Sequence, residues 1–284
     1  MKPFDFNVHP DTSIFRSAPL SVHQVIRSEF ELTPRELLLS FQSSINSQSW
    51  TQLVSGCNCM IFTTYFHEHP SEAPGFISDL TKLFVDSGLQ VTTTFLVDPR
   101  FDGDITALLK VWKEAGVRFI KFHSYHQKIG ESLYGRCLEI CLFAQTLGLG
   151  ICIDCSYGTI GMFKYDNLLL VSLILEQVKN VPVVILHAGG LRAFEAALLA
   201  DDASNAYVEL SFSPIYYRNT SIYGRFVDIM SLLPSSKFLY ASDYPYVDFP
   251  ASLASTHDLL AAANYTSLNR DLVLFGNAKK IITS

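Results

Sequence analysis

The 284-residue chain lacks several features that would fix its class at once. No apolar run reaches the ~18 residues that a membrane-spanning helix needs. The longest, near Leu168 to Leu175, is broken by Ser172 and reads as a buried helix. Basic residues form no block or stripe, with 21 Lys and Arg against 27 Asp and Glu and a net charge of -6. Nucleic acid is therefore not an expected partner, since neutralising phosphates takes clustered Lys and Arg. The N-terminus has no charged leader followed by an apolar core, so no secretory signal is expected. A G-x-G-x-x-G turn after the first strand, which would favour a dinucleotide-binding open sheet, is absent. So are linkers and low-complexity stretches, and residues 1–284 are expected to form a single domain.

Cysteine is sparse. Cys57, Cys59, Cys137, Cys141, Cys152 and Cys155 fall inside predicted strands and helices rather than loops. That favours free, buried thiols and a cytoplasmic location. Cys152 and Cys155 form a C-x-x-C, but positions i and i+3 of a strand face opposite ways, so the pair is not expected to chelate one metal.

What the chain does have is regular alternation. Strand-like runs occupy about 3–9, 57–65, 89–98, 117–124, 149–156, 182–188, 206–212 and 237–243, with helical patterns of 10 to 20 residues between them. Thr33-Pro34-Arg35-Glu36 is a capping box with proline at the first helical position. Asp102 or Asp104 can start a helix over Ile105 to Ala115, and Gly116 ends it. Gly88, Gly116 and Gly148 each sit between a helical run and the next strand. Eight such repeats predict an α/β fold, a (β/α)8 barrel of the TIM type. A long segment, about 10 to 32, joins the first strand to the first helix. It carries Arg16, His23 and Arg27 and reads as a lid over the barrel mouth.

The first strand places Asp5, Asn7 and His9 in alternation with Phe4, Phe6 and Val8, so a polar stripe shares one face. Buried polar side chains need partners, and a binding or metal site supplies them. In a (β/α)8 barrel the reactive groups come from the C-terminal ends of the strands. Those ends offer Asn7 and His9, His67 and His69, Asp98, then Lys121, His123 and His126. Asp154, His187, Glu209 and Ser211, and Ser242 and Asp243 complete the set. Such a mixture of oxygen and imidazole donors suits Zn, Mn or Fe as a divalent ion.

Five segments, in order, carry a resemblance that covers the whole chain. The first strand, Asp5-Phe6-Asn7-Val8-His9, is similar to the D-x-H-x-H strand of the amidohydrolase superfamily. Ile120-Lys121-Phe122-His123-Ser124 is similar to its IKLHP segment, and Leu186-His187-Ala188-Gly189-Gly190 to LAHxGG. Ala241-Ser242-Asp243-Tyr244-Pro245 is similar to GSDYP, and Gly276-Asn277-Ala278 to the closing GNA. The resemblance is to the branch of small hydrolases and decarboxylases. It implies that Asp243 is a metal ligand and the general base toward water, and that His187 polarises the scissile group or binds metal. Two positions depart from the pattern: Asn7 replaces the first histidine of the pair, and Asp154 stands where the fifth strand would end in histidine. The metal set implied here is His9, Asp154, Asp243 and Asn7, more oxygen-rich than the family's, with a metal-free site as the alternative.

Other residues are weighed by type. Asp243, with Ser242, could instead cap the following helix. Gly189 and Gly190 would let a ligand approach the backbone beside His187. Lys121, His123 and His126 are expected to bind substrate, Lys121 alternatively pairing with Asp154. His67-Glu68-His69 reads as a solvent-exposed or substrate loop, and His23 and His257 as surface positions. Arg16, Arg27, Arg100, Lys121 and Arg192 are the cations available to an acidic substrate. The expected activity is hydrolysis of a small, carboxylated ester, lactone or amide by an activated water. A metal-dependent decarboxylase and a non-catalytic barrel are the alternatives. A small molecule is the expected partner, with no membrane or nucleic acid; a homodimer is left open.

Overall fold

The computed structural model describes residues 1–15, 28–47, 50–156 and 164–283. Eight strands, β1 (Phe4–Val8), β2 (Gly56–Ile61), β3 (Gln90–Leu96), β4 (Phe119–Phe122), β5 (Gly150–Ile153), β6 (Val183–Ile185), β7 (Ala206–Glu209) and β8 (Phe238–Leu239), form one sheet in sequence order. Every pair is parallel. Backbone hydrogen bonds from Phe6 N to Tyr240 O (3.1 Å), Asp243 N to Asn7 O (2.9 Å) and His9 N to Tyr244 O (2.7 Å) join β1 to the chain just past β8 and close the ring. The eight expected strands are all present. Several stop earlier than the apolar runs suggest, because His187, Phe212 and Asp243 take positive φ and leave the extended region.

The interior and the surrounding layer separate by strand parity. Phe4, Phe6, Met60, Phe62, Leu96, Phe119, Cys152, Val184, Tyr207 and Leu239 pack together inside the barrel. Cys57, Cys59, Ile120, Phe122, Ile151, Ile153 and Cys155 face the helices instead. Cys152 and Cys155 therefore lie on opposite sides of the sheet, and all six cysteines are free and buried. The first strand breaks the rule. Its register shifts between Asp5 and Val8. Phe4 and Phe6 join the interior, whereas Val8 joins the outer layer. The expected single stripe of Asp5, Asn7 and His9 is thus split by a bulge, which re-aims side chains at a barrel rim.

The helices start and stop where local chemistry sets them. Thr33 N donates to Glu36 (2.9 Å) and Glu36 N to Thr33 Oγ1 (3.3 Å), a reciprocal cap on helix Pro34–Ser47. Asp104 accepts from Thr106 N and Ala107 N at the start of helix Ile105–Ala115, and Gly116, at φ 104°, ends it. That helix buries Leu108, Leu109 and Trp112 against the barrel, each contributing about 1.5–3 kcal/mol of burial. The run Leu168 to Leu175 lies in helix Asn167–Gln177 and is largely buried. At the other end of the barrel, helix Asn277–Thr283 inserts Ala278 and Ile281 into the interior cluster. Asn277 Nδ2 fixes it there, donating to Ser235 O (2.7 Å) and Phe238 O (2.8 Å). Among the described residues no helix is long and apolar enough to cross a membrane.

Gly56 shows how tightly the strands are set. A Cβ there would lie 2.4 Å from the carbonyl oxygen of Gln90, its register partner on β3, whereas one on Gly75 would meet nothing within 4 Å. Gly56→Ala is expected to cost about 1–3 kcal/mol in urea unfolding, and Gly75→Ala to be neutral or stabilising by about 0.5–1 kcal/mol. Equal midpoints for the two variants would contradict this packing.

Candidate functional site

The barrel brings its polar strand ends together at one rim. Asn7, His9, Lys121, His123, Asp154, His187, Glu209, Ser211, Ser242 and Asp243 are all buried. These are the groups expected from the sequence, on the rim where (β/α)8 barrels carry reactive side chains. Two sub-networks organise them.

The first centres on His187. Its Nε2 lies 3.1 Å from Asp154 Oδ2 and its Nδ1 2.9 Å from Ser211 Oγ. Ser211 Oγ donates its single proton to Glu209 Oε2 (3.0 Å) and accepts from Asn7 Nδ2 (3.4 Å). It must therefore accept from His187 as well, so Nδ1 carries a hydrogen. Nε2 faces a carboxylate whose other oxygen, Oδ1, accepts from Ser156 N (3.2 Å) and Ser156 Oγ (2.6 Å). Both ring nitrogens are then donors, and the ring is an imidazolium. Burial opposes that charge, but Asp154 and Asp243 outweigh it and push His187 up to about 9. Burial also opposes ionisation of Asp154, yet His123 (3.5 Å) and His187 beside it hold the carboxyl well below its ordinary range. With both ring nitrogens committed, His187 offers no free hydrogen-bond donor.

The second sub-network runs through His9. Its Nδ1 is 2.9 Å from Glu29 Oε2, and Tyr246 donates to the other oxygen of Glu29. Its Nε2 faces Asp243 Oδ1 at 3.6 Å, and its ring packs edge-on against Phe62. Burial, with Lys121 and His187 nearby, holds His9 well below 6.5, so it is neutral. Burial raises Asp243 to about 7 and Glu29 to about 8. Lys121 reaches into the same space from β4 with its Nζ 4.5 Å above the Phe62 ring. Among the described residues no carboxylate lies within 4 Å of that ammonium, and the alternative of an Asp154 ion pair is replaced by the two imidazoles on Asp154.

Backbone strain concentrates on this rim. His187, Ala188 and Asp243 have φ of 59°, 50° and 62°, a region L-residues seldom occupy. Glu209 Oε2 accepts from His187 N (2.8 Å) and Oε1 from Ser211 N (2.9 Å), which pins the turn after β6 to β7. Asp5 does the same for the turn after β8, accepting from Ser242 N (2.8 Å) and Ser242 Oγ (2.5 Å). Asp243 does not cap the following helix, since Asp248 accepts from Ala251 N at the start of Phe249–Ala262. Nor does Gly189 make room for a ligand. A Cβ there would lie 2.5 Å from the Cβ of Ala196, so the glycine admits the next helix.

Other expectations sort as follows. His126 is half-buried and packs its ring against His123 at 4.5 Å between centroids. His67 is buried, contrary to the expected exposed loop. Its Nε2 accepts from Asp98 N (3.1 Å) and its ring packs against Trp112, so it braces the end of β3. His69 and His257 are exposed. Arg100 pairs with Asp98, and Arg192 bridges Asp166 and Glu195, which leaves both guanidinium groups engaged. Arg16, His23 and Arg27 lie outside the described residues, with residues 16–27 of the lid they suggested; of its remainder, Thr12, Ser28, Glu29 and Leu32 are buried. Glu29 and Tyr246 escaped the sequence reading. Glu29 falls in the segment between the first strand and helix Pro34–Ser47, where no strand end is expected, and only the fold shows that it is buried against His9.

The metal set His9, Asp154, Asp243 and Asn7 does not fit the geometry. Among the described residues no three His, Cys, Asp or Glu side chains form a group able to hold a metal ion. Asp154 spends Oδ2 on two imidazoles and Oδ1 on Ser156. Asn7 Oδ1 is buried without a hydrogen-bond partner, one neutral donor left over. A divalent ion in this space would also meet the like charge of the buried Lys121 ammonium.

Comparison with known proteins agrees with this architecture. A family profile described as amidohydrolase matches residues 80–282, more than half of the chain. No curated protein matches. Among solved structures, a probable 2-pyrone-4,6-dicarboxylic acid hydrolase of Acinetobacter baumannii with citric acid bound is 11% identical, with a TM-score of 0.65 and full coverage of both chains. A TIM-barrel protein of Bordetella bronchiseptica is 13% identical at 0.65, covering 100% of this chain and 99% of that one. A 4-oxalomesaconate hydratase of Rhodopseudomonas palustris is 14% identical at 0.61, covering 99% of this chain and 95% of the other. At such identities the likeness is one of fold.

The protons assigned here make stability depend on pH in a defined direction. His187 keeps its proton to about 9 when folded against an ordinary 6.5, a contribution complete below 6.5 and lost as pH rises through 9. Glu29 and Asp243 keep theirs to about 8 and 7 against 4.5 and 3.8, so folding must hold them neutral or bury their charge. Between pH 7 and 9 the folded chain therefore binds more protons than the unfolded one, and stability should fall as pH rises. The slope is about 1.4 kcal/mol per pH unit for each extra proton. Urea unfolding at pH 7, 8 and 9 measures it, and a midpoint that stays constant or rises would contradict the assignment.

Proposed function

Because the chain belongs to the amidohydrolase family, an enzyme family that generally uses a divalent metal, we propose that it hydrolyses a small carboxylated ester, lactone or amide. The observation that carries this reading is the pairing of a buried Asp243, faced by the neutral His9, with a buried Lys121 ammonium free of any carboxylate within 4 Å among the described residues. Asp243 is the base. Its raised value places it near neutrality, where a carboxylate can take a proton from water and return it. His9, backed by Glu29 and Tyr246, holds the carboxylate in place.

In the proposed reaction the water gives its proton to Asp243 and its oxygen bonds to the carbonyl carbon. The carbonyl oxygen becomes anionic while His187, a fixed positive charge in a low-dielectric site, faces the developing charge. The bond to the leaving oxygen or nitrogen then breaks, and the proton held by Asp243 passes to the leaving group. Asp154 and Ser211 keep His187 charged and oriented and are positioning residues. Lys121, with His123 and His126 beside it, binds a substrate carboxylate. The named activity of the Acinetobacter relative on a dicarboxylic acid, and its bound citric acid, support an acidic substrate. Decarboxylation is the weaker reading, since that chemistry in the family calls for a metal and the donor set here does not fit one.

A panel of esters, lactones and amides, each with and without a carboxylate, tests the proposal. Asp243→Asn should lower kcat by about 10²–10⁴-fold. Lys121→Met should raise KM for the carboxylated substrates by about tenfold or more and leave neutral ones little changed. Full activity of Asp243→Asn, or release of CO₂ without water addition, would replace this reading.

A further inference from the structure

Lys121 has an unusual setting for a lysine. Its side chain is 1% exposed, among the largest fully buried in the chain. It rises from β4 between its register neighbours Leu96 on β3 and Cys152 on β5, both in the interior cluster. Its nitrogen rests on the Phe62 ring, which also packs against His9 and His123. A buried ammonium is costly unless negative charge surrounds it. Among the described residues no Asp or Glu carboxylate lies within 4 Å of this nitrogen, and the ring it rests on is the one that His9 and His123 also touch. The ammonium is thus not locked to one carboxylate.

The donor set around it points the same way. Asp154 Oδ2 is already approached by His187 at 3.1 Å and His123 at 3.5 Å, and its Oδ1 accepts from Ser156 N and Ser156 Oγ. Asn7 offers only a neutral oxygen, without a hydrogen-bond partner among the described residues. We propose that the buried Lys121 ammonium takes the electrostatic place of a divalent metal in this barrel, so that the wild-type protein holds no tightly bound metal. The inference deepens the hydrolase reading, because it names the charge that meets the anionic substrate, and it rests on that reading only for that use.

Metal binding tests it without reference to turnover. Wild-type protein, dialysed against chelator and then titrated calorimetrically with Zn²⁺ and with Mn²⁺, should show no saturable binding at one equivalent. Lys121→Met and Lys121→Gln, each first checked for a cooperative thermal transition, should bind one equivalent at least about tenfold more tightly than wild type. One tight equivalent in the wild type, lost in Asp243→Asn, would overturn the inference, and that arm stands even if both lysine variants fail to fold. Folded lysine variants with no gain would overturn it too, since something other than the ammonium would then exclude metal. The two readings fail separately. A metal-loaded wild type that still hydrolyses its substrate sinks the ammonium inference alone. A metal-free wild type inert on the whole panel sinks the hydrolase reading alone.

Discussion

The constraint on which the rest of this structure depends is the confinement of charge at the rim of a closed barrel. Asp154, Asp243, Glu29, Glu209, Lys121 and His187 are all buried, where an unpaired charge would cost several kcal/mol. All but Lys121, whose ammonium rests on the Phe62 ring, are kept by a partner from a different strand or loop. His187 on the β6 turn answers Asp154 past β5, Ser211 past β7 completes the ring, and His9 past β1 stands between Glu29 and Asp243. Removing any one leaves its neighbours buried without compensation, so the rim behaves as one electrostatic unit.

That unit imposes conformations the backbone would otherwise avoid. The left-handed turns at His187 and Asp243 persist because carboxylates on neighbouring strands hold them, Glu209 for the first and Asp5 for the second. The two carboxylates do what a support to a reactive site must do, fixing the direction of a side chain that carries the chemistry. The bulge in β1 belongs to the same arrangement. It lets Phe4 and Phe6 fill the barrel below while Asn7 and His9 reach the rim above.

The departures at positions 7 and 154 also find a physical account. A carboxylate at 154 beside a histidine at 187 creates an ion pair where two histidines would have offered two neutral donors. Asn7 donates to Ser211 and so helps set the direction of the Ser211 proton, which in turn fixes the charge on His187. The two changes therefore act in one network. In the proposed reaction charge, base and anion binder all come from the chain.

The sequence by itself determined the barrel. Eight apolar strand runs, helices with readable caps at Thr33 and Asp104, and the glycine stop at Gly116 are local signals, set by side-chain period and backbone preference. It also determined which residues would stand on the rim, because position at a strand's C-terminal end is a property of the linear order. The tertiary structure alone decided their partners. Nothing local says that Asp154 meets His187, that Lys121 stays apart from Asp154, or that Glu29, ahead of helix Pro34–Ser47, lies buried against His9. It also decided the fate of His67, which binds a backbone N–H inside the protein instead of lying in a solvent loop. Nor could the alternation in β1 reveal its bulge, since a register shift is a property of the strand pair and not of the strand. Ionisation follows the same division. A side chain's type sets its ordinary value, but burial and the charges brought against it from other strands decide whether it holds its proton.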